Sequence, residues 1–246
     1  MSVLVVTGTD TEVGKTVVVA AIAALARARG SSLAVVKPAQ TGVVPHGHGD
    51  LDVVRQLAAL APNDLHEFAR FADPLAPAAA ARLSGQPPLD ISNAVNRVAS
   101  LAVERRLVLV EGAGGLLVRY DDEGTTLADL AHQLDAPVLV VTRAGLGTLN
   151  ATALTLEALA NRGLELSGVV IGSWPEVPDL AARSNIRDLE TLAARPLAGA
   201  VPAGAGSLDP DAFLSAARAA LGPAYGGAFD AADFRRRNEP KQEGQR

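Results

Sequence analysis

The sequence predicts an α/β protein, a doubly wound and mostly parallel sheet flanked by helices. Three observations carry that prediction. Short Val-rich runs at 3–6, 108–110 and 138–141 are apolar at consecutive positions, which suits strands buried on both faces. Ala- and Leu-rich helical patterns alternate with such runs, and strands joined through a helix are normally parallel with a right-handed crossover. A chain of 246 residues that is 48% hydrophobic can bury such a sheet in one large domain.

Taken in order, residues 2–7 read as a strand, 8–13 as a turn and 15–29 as an Ala/Val-rich helix stopped by Gly30. The second strand covers 33–37. Residues 37–49, punctuated by Pro38, Gly42, Pro45, Gly47 and Gly49, read as a mobile loop leading to a helix at 51–60. Residues 62–77 are expected to be irregular. Helices at 78–83 and 91–105 precede a strand at 107–110 and a glycine turn at 111–115. The alternation continues with helix 126–134, strand 138–141, helix 148–161, strand 166–171, helix 180–194, strand 197–200 and helix 210–221. From Pro223 the composition shifts to Gly, Asp, Arg, Glu and Gln with little apolar periodicity. One domain over 1–222 followed by a poorly ordered tail at 223–246 is the expected organisation.

Composition narrows the chemistry. A net charge of −5 offers no basic field for nucleic acid, so no nucleic-acid partner is expected. There is no cysteine, which excludes disulfides, thiolate metal sites and cysteine nucleophiles. Apolar stretches are broken well before the roughly 20 residues a membrane span requires, and no signal-peptide pattern opens the chain. A soluble, cytoplasmic protein without a membrane partner is the expectation.

The strongest motif is Thr7-Gly8-Thr9-Asp10-Thr11-Glu12-Val13-Gly14-Lys15-Thr16, set between a strand and a helix. In that context backbone N–H groups and the positive helix end bind phosphate oxygens, Lys15 neutralises the β/γ region and the Thr16 hydroxyl can ligate Mg²⁺. Five residues separate Gly8 from Gly14, one more than the usual phosphate loop has. A P-loop NTPase-like single domain that binds a nucleoside triphosphate follows from this segment.

Other polar positions must name the reaction. Lys37 ends a buried strand at the sheet edge where open α/β sheets bind ligands, and it reads either as a stabiliser of negative charge or as a solvated lysine. Glu111 leaves another strand into Gly112-Ala113-Gly114-Gly115, as a metal-positioning carboxylate would, or as a loop carboxylate capping N–H groups. Asp50 reads as a second metal carboxylate or as a helix N-cap, the cap being favoured on sequence alone. His46 and His48 lack a third ligand nearby and receive no role. His66 and His132 stand alone, and Trp174, Tyr120 and Tyr225 read as packing residues.

Together with Lys37-Pro38, Thr41-Gly42, Asp50, Val110-Glu111 and the run Gly145-Leu146-Gly147-Thr148-Leu149-Asn150, the phosphate loop resembles that of the dethiobiotin synthetase family. The resemblance covers about 2–221, and the five-residue glycine spacing is normal in that family. It implies closure of a ureido ring from 7,8-diaminononanoate, CO₂ and ATP through a carbamate and a carbamic-phosphoric anhydride, with release of ADP and phosphate. By resemblance, Lys15 and Lys37 are catalytic. Glu12, Val13, Gly14, Lys15, Thr16 and Val17 wrap the phosphates, with Gly112, Ala113 and Gly114 beside them, and Thr16, Asp50 and Glu111 surround Mg²⁺. Thr11 and Thr41 hydrogen-bond the carbamate. Asn150 reaches the substrate of a partner subunit across a two-fold interface, which makes a homodimer the expected state; read alone, it is a helix-start cap.

One region departs from the family. Many members carry Asn-Asp after the strand at 166–171, where this chain has Gly172-Ser173-Trp174. Base selection would then lean on backbone groups at Gly172, Ser173, Pro202, Ala203 and Gly204, and relaxed nucleotide preference, admitting CTP, is expected. The segment after Pro223 has no evident family counterpart. Two rival readings are weaker. A cobyrinate-type amidotransferase needs a glutaminase cysteine, and the chain has none. A partitioning ATPase usually adds a lysine early in the loop, where this acidic chain has Thr9 and Asp10. At this level, Lys37→Ala is expected to cut turnover about 10²-fold or more while leaving the fold intact.

Overall fold

A computed structural model describes residues 3–240. Its seven strands lie in the order β3-β2-β4-β1-β5-β6-β7. They are β1 (Val3–Gly8), β2 (Leu33–Gln40), β3 (Leu65–Arg70), β4 (Leu107–Gly115), β5 (Val138–Thr142), β6 (Leu166–Trp174) and β7 (Gly199–Pro202). Every ladder between them is parallel. The helices are α1 (Lys15–Ala28), α2 (Asp50–Ala58), α3 (Pro77–Ser84), α4 (Ile91–Glu104), α5 (Leu127–Gln133), α6 (Thr148–Asn161), α7 (Leu180–Ala193), α8 (Pro210–Ala220) and α9 (Ala231–Asn238).

Alternate residues of each strand serve different cores, as a period of two requires. Val3, Val5, Val108, Val110, Val138 and Val140 join one core with residues of α3, α4, α5 and α7. Leu4, Val6, Leu109, Leu139, Val141 and Val170 join the other, with α1, α2 and α8. Double burial is why these strands read as unbroken apolar runs. No helix among the described residues is long and apolar enough to cross a membrane.

Four expectations are corrected. The second strand runs on through Pro38 to Gln40, shortening the loop. Proline is tolerated because pairing with β4 has ended at Val36 and the β3 ladder uses Lys37 and Ala39 on either side. The stretch 62–77 contains β3, a half-buried edge strand whose Glu67 and Arg70 pair with each other. Its charges hide the strand pattern, and they are what an edge requires. The supposed glycine turn is the end of β4, bulged so that Gly115 pairs with Gly8, with Gly114 at φ +67°.

The fourth correction is the tail. Residues 223–225 form a short 3₁₀ turn and 231–238 form α9, whose Phe234 is buried against Trp174 and Phe229. Two aromatic side chains supply the anchoring that apolar periodicity lacks. Residues 241–246 lie outside the described residues, so the expectation for that part of the tail does too.

Candidate active site

β1 is the central strand, and its C-terminal end at Gly8 turns into the loop that enters α1. Gly14 is the N-cap at φ +96° and has no side chain to occupy the first N–H groups of the helix. A Cβ on Gly14 would lie 2.5 Å from the Gly172 carbonyl oxygen, and one on Gly172 would lie 2.0 Å from that of Val13. Backbone therefore stacks on backbone between the phosphate loop and the end of β6. Glu12 also adopts positive φ, at +57°, a strained conformation for a side-chain-bearing residue.

In front of this loop opens a cavity of about 830 Å³, bordered by Thr11, Glu12, Gly14, Lys15, Thr16 and Val17 on one side. Lys37, Thr41, Asp50, Glu111, Ala113 and Gly114 border it as well, with 74–77 as an apolar wall. The volume falls in the range of small-ligand sites. Lys15 is buried and its Nζ donates to the Asp10 carbonyl at 2.9 Å. Burial lowers its pKa, opposed by the charge of Glu111. An ammonium desolvated in this way is stabilised by any anion that enters.

Lys37 and Glu111 form the electrostatic centre. The Lys37 ammonium spends its three protons on Glu111 Oε1 at 2.8 Å, Asp50 Oδ2 at 2.5 Å and the Gly112 carbonyl at 3.2 Å. Lys37 is 3% exposed and Glu111 0%, so Lys37 is not a solvated strand-end lysine and Glu111 is not a surface carboxylate. Burial alone would lower the Lys37 pKa; the charges of Glu111 and Asp50 more than offset it and hold the ammonium well above the usual lysine value. Burial pushes the Glu111 carboxyl up, opposed by the Lys37 ammonium. Because a buried charge stripped of its partner is costly, the fold is not expected to be indifferent to Lys37→Ala, contrary to the sequence reading.

Thr16 Oγ1 donates to Glu111 Oε1 at 2.8 Å, while Glu111 Oε2 is buried with no partner. Asp50 is not the cap of α2; Gly49 is, and its N–H donates to Asp52 Oδ2 at 2.9 Å. Asp50 sits one residue inside the helix with its carboxylate on Lys37. No group of three or more His, Cys, Asp or Glu side chains that could hold a metal occurs among the described residues. Thr16, Asp50 and Glu111 are instead a mixed oxygen set, one hydroxyl and two carboxylates. Such a set suits Mg²⁺, which keeps waters and phosphate oxygens in its shell, and the buried, unpartnered Oε2 offers a further carboxylate oxygen for that role. Thr16→Val, which removes the hydroxyl at nearly constant volume, is expected to raise the Mg²⁺ concentration for half-maximal turnover about tenfold. An unchanged Mg²⁺ titration would reject Thr16 as a ligand.

Not every residue singled out from sequence reaches the cavity. Val13 is buried behind the loop, and Gly112 contributes its carbonyl rather than lining the space. Gly172 backs the loop, Ser173 is exposed, and Pro202, Ala203 and Gly204 form an exposed turn joined to β6 where the Ala203 N–H donates to the Trp174 carbonyl at 2.7 Å. Asn150 is exposed in the first turn of α6, whose N-cap is Gly147, so it is not the cap.

Two residues, Gln40 and Arg143, escaped the sequence reading. Gln40 Oε1 accepts from the Asp50 N–H at 2.8 Å and fixes the start of α2. Tyr120 is the packing residue the sequence suggests, fully buried in the core, and it also receives the Ala113 N–H at 3.4 Å behind the glycine segment. Arg143 reaches from the end of β5 to Asp10 Oδ2 at 3.2 Å and the Thr11 carbonyl at 3.0 Å, bracing the phosphate loop. Only Arg143 had a usable signal, its place at the C-terminal end of a strand. Beside it lies an ordered hydroxyl chain. Thr148 donates to the Arg143 carbonyl at 2.7 Å, so it accepts from Thr142 at 2.6 Å, and Thr152 must then donate to Thr142 at 2.8 Å.

Comparison with known proteins fits this geometry. A family model described as an AAA domain matches residues 2–209. The MinC:MinD cell division complex of Aquifex aeolicus superposes with a TM-score of 0.54 at 14% identity, over 94% of this chain and 98% of that one. At that identity the likeness concerns the fold. The ATP-dependent dethiobiotin synthetase BioD of Parafrankia sp. (strain EAN1pec) is 68% identical over 237 residues, covering 96% of this chain and 99% of its own. That of Streptomyces coelicolor is 59% identical over 240 residues, covering 98% and 100%. Coverage this complete extends into α9, so the segment after Pro223 does have a family counterpart, contrary to expectation. With two such relatives matched end to end and the phosphate loop, Lys37 and Glu111 gathered in one cavity, the chain belongs to the ATP-dependent dethiobiotin synthetase family.

Proposed function

We propose that this protein closes the ureido ring of dethiobiotin in the cytoplasm, from 7,8-diaminononanoate, CO₂ and ATP. One substrate amine adds to CO₂ and loses a proton, giving a carbamate. A carbamate oxygen attacks the γ-phosphorus and ADP departs. The second amine attacks the carbonyl carbon of the resulting anhydride, phosphate leaves, and the ring is closed. No nucleic acid or membrane takes part.

The observation that carries this reading is the buried Lys37 ammonium on the wall shared by the phosphate loop and by Thr11 and Thr41. Two anions, a carbamate and a triphosphate, must meet there. Their repulsion is the main electrostatic obstacle, and fixed, preorganised positive charge lowers it. Lys15 and the first-turn N–H groups of α1 hold the phosphates, and Thr11 and Thr41 orient the carbamate. Thr16, Asp50 and Glu111 would hold Mg²⁺, which supplies further neutralisation of phosphate charge. Mass spectrometry of the product formed from the diamine, ¹³C-bicarbonate and ATP tests the reaction. One labelled carbon in a cyclic urea, with one ADP per ring, is the expected result, and ATP hydrolysis without carbon incorporation would refute it.

Asn150 is assigned to the substrate bound in a partner subunit of a homodimer. Its exposure, its lack of a capping role and the exposed Leu146 and Leu154 around it support that assignment. Asn150→Ala is expected to raise KM for the diamine about tenfold while leaving KM for ATP within about twofold. At subsaturating diamine, mixing Asn150→Ala with Lys37→Ala protein should raise activity above the sum of the two variants, because a hybrid dimer contains one intact composite site. Absence of complementation would place Asn150 within its own subunit's site.

The base is assigned to Gly172, Ser173, Pro202, Ala203 and Gly204, where no Asn or Asp side chain is present to read an adenine edge. Without such a reader, kcat/KM for ATP and CTP should lie within about tenfold of each other. Discrimination of several hundredfold for ATP would defeat that expectation.

A further inference from the structure

We propose that α9 braces the loop pair that receives the nucleoside, and that Phe234 is its positioning residue. The proposal rests on the assignment of the base to 172–173 and 202–204. By composition α9 is polar, with Arg235, Arg236 and Arg237 in its last turn, and Phe234 is its one buried residue.

The approach to that helix is tied down repeatedly. The Gly222 N–H donates to the Ala198 carbonyl at 2.9 Å, Tyr225 and Ser167 share a hydroxyl contact of 2.7 Å, and Arg29 donates to the Gly226 carbonyl at 2.5 Å. Phe229 N–H donates to the Leu221 carbonyl at 3.0 Å. The helix is anchored at its far end too. Arg183 donates to the Asn238 and Glu239 carbonyls at 2.8 and 3.1 Å, placing a cation at the negative helix terminus, and Arg235 pairs with Glu190.

What these anchors present is one ring. Phe234 meets Trp174 edge-on, with centroids 4.9 Å apart and an interplanar angle of 71°, and Phe229 flanks it at 5.1 Å. Trp174 in turn governs both halves of the nucleoside loop pair. It directly follows Ser173, its Cα pairs with Pro202, and its carbonyl receives the Ala203 N–H at 2.7 Å. Loss of the Phe234 ring frees Trp174 and with it the spacing of 173 from 202–203. Gly172 remains fixed between Val13 and Val141, so the phosphate loop is insulated from that shift.

Insulation supplies the test. Affinities of the full-length protein for Mg·ATP and for Mg·tripolyphosphate, which has no base, are measured by titration calorimetry. Phe234→Ala should weaken ATP binding by about five- to tenfold, the size of a lost aromatic pair, and leave tripolyphosphate within about twofold. kcat at saturating ATP should be retained, with Phe234→Leu intermediate and serving in place of the alanine variant if that fails to fold. Equal weakening of both ligands, or of neither, overturns the brace. Ala203→Arg separates the underlying assignment: if it leaves ATP affinity unchanged, the base does not bind at this turn and the proposal falls with it. If Ala203→Arg weakens ATP and Phe234→Ala does not, the base site stands and only the brace is refuted.

Discussion

Lys37→Ala is expected to lower kcat by about 10²-fold or more and to destabilise the protein by roughly 3–5 kcal/mol at the same time. Turnover falls because, in the proposed reaction, the cavity loses the ammonium that faces two meeting anions. Stability falls for a separate reason. Glu111 is wholly buried and Asp50 lies close to the same ammonium, so its removal leaves one buried carboxylate uncompensated and a second carboxylate beside it. For a chain of this size, such a loss corresponds to a Tm decrease of roughly 10 °C. A second substitution separates the effects. Lys37→Ala/Glu111→Gln, which removes the stranded charge, should recover much of the lost Tm while turnover stays low. If Lys37→Ala alone left both kcat and Tm near those of the parent protein, the electrostatic account of the site would be wrong.

Gly172→Ala should be nearly as damaging through a purely steric route. The added methyl would sit 2.0 Å from the Val13 carbonyl oxygen and 2.6 Å from a Val141 methyl, so β6 and the phosphate loop must separate. Overpacking against backbone costs about 1–3 kcal/mol, and because Val13 belongs to the loop assigned to the phosphates, nucleotide affinity should drop about 10- to 100-fold. Gly145→Ala is the matched control. Nothing lies within 4 Å of its added Cβ, and its stability should stay within about 0.5 kcal/mol of the parent. Equal behaviour of the two variants in nucleotide titration would mean that the stacking of β6 on the loop is dispensable.

The parts of the site that were legible in the sequence are those in which a residue type carries its own context. The strand-loop-helix around Gly14 and Lys15 and the helix at 148–161 are found where periodicity and the glycine-lysine pattern place them. Lys37 and Glu111 could be located at strand ends, but their mutual contact spans 74 positions and has no local signature. What was missed follows from pattern reading itself. Glycine suggested a turn at 111–115, although a bulged parallel strand also accepts it. Charges at Glu67 and Arg70 concealed an edge strand for the same reason that they belong on one. In α9, a single buried phenylalanine gives no periodicity to detect. Gln40 acts on Asp50 through backbone, which no spacing rule anticipates.

The two margins of the sheet are treated unlike each other, and this bears on self-association. β3 borders the sheet on one side, with its Glu67–Arg70 pair and Arg97 stacked 3.8 Å over the Phe68 ring. On the other side β7 is closed by an antiparallel bridge between Gly199 and Leu221. Charge deters a foreign strand at the first margin, and the chain's own continuation fills the second. Lateral growth into fibrils is therefore disfavoured at both borders.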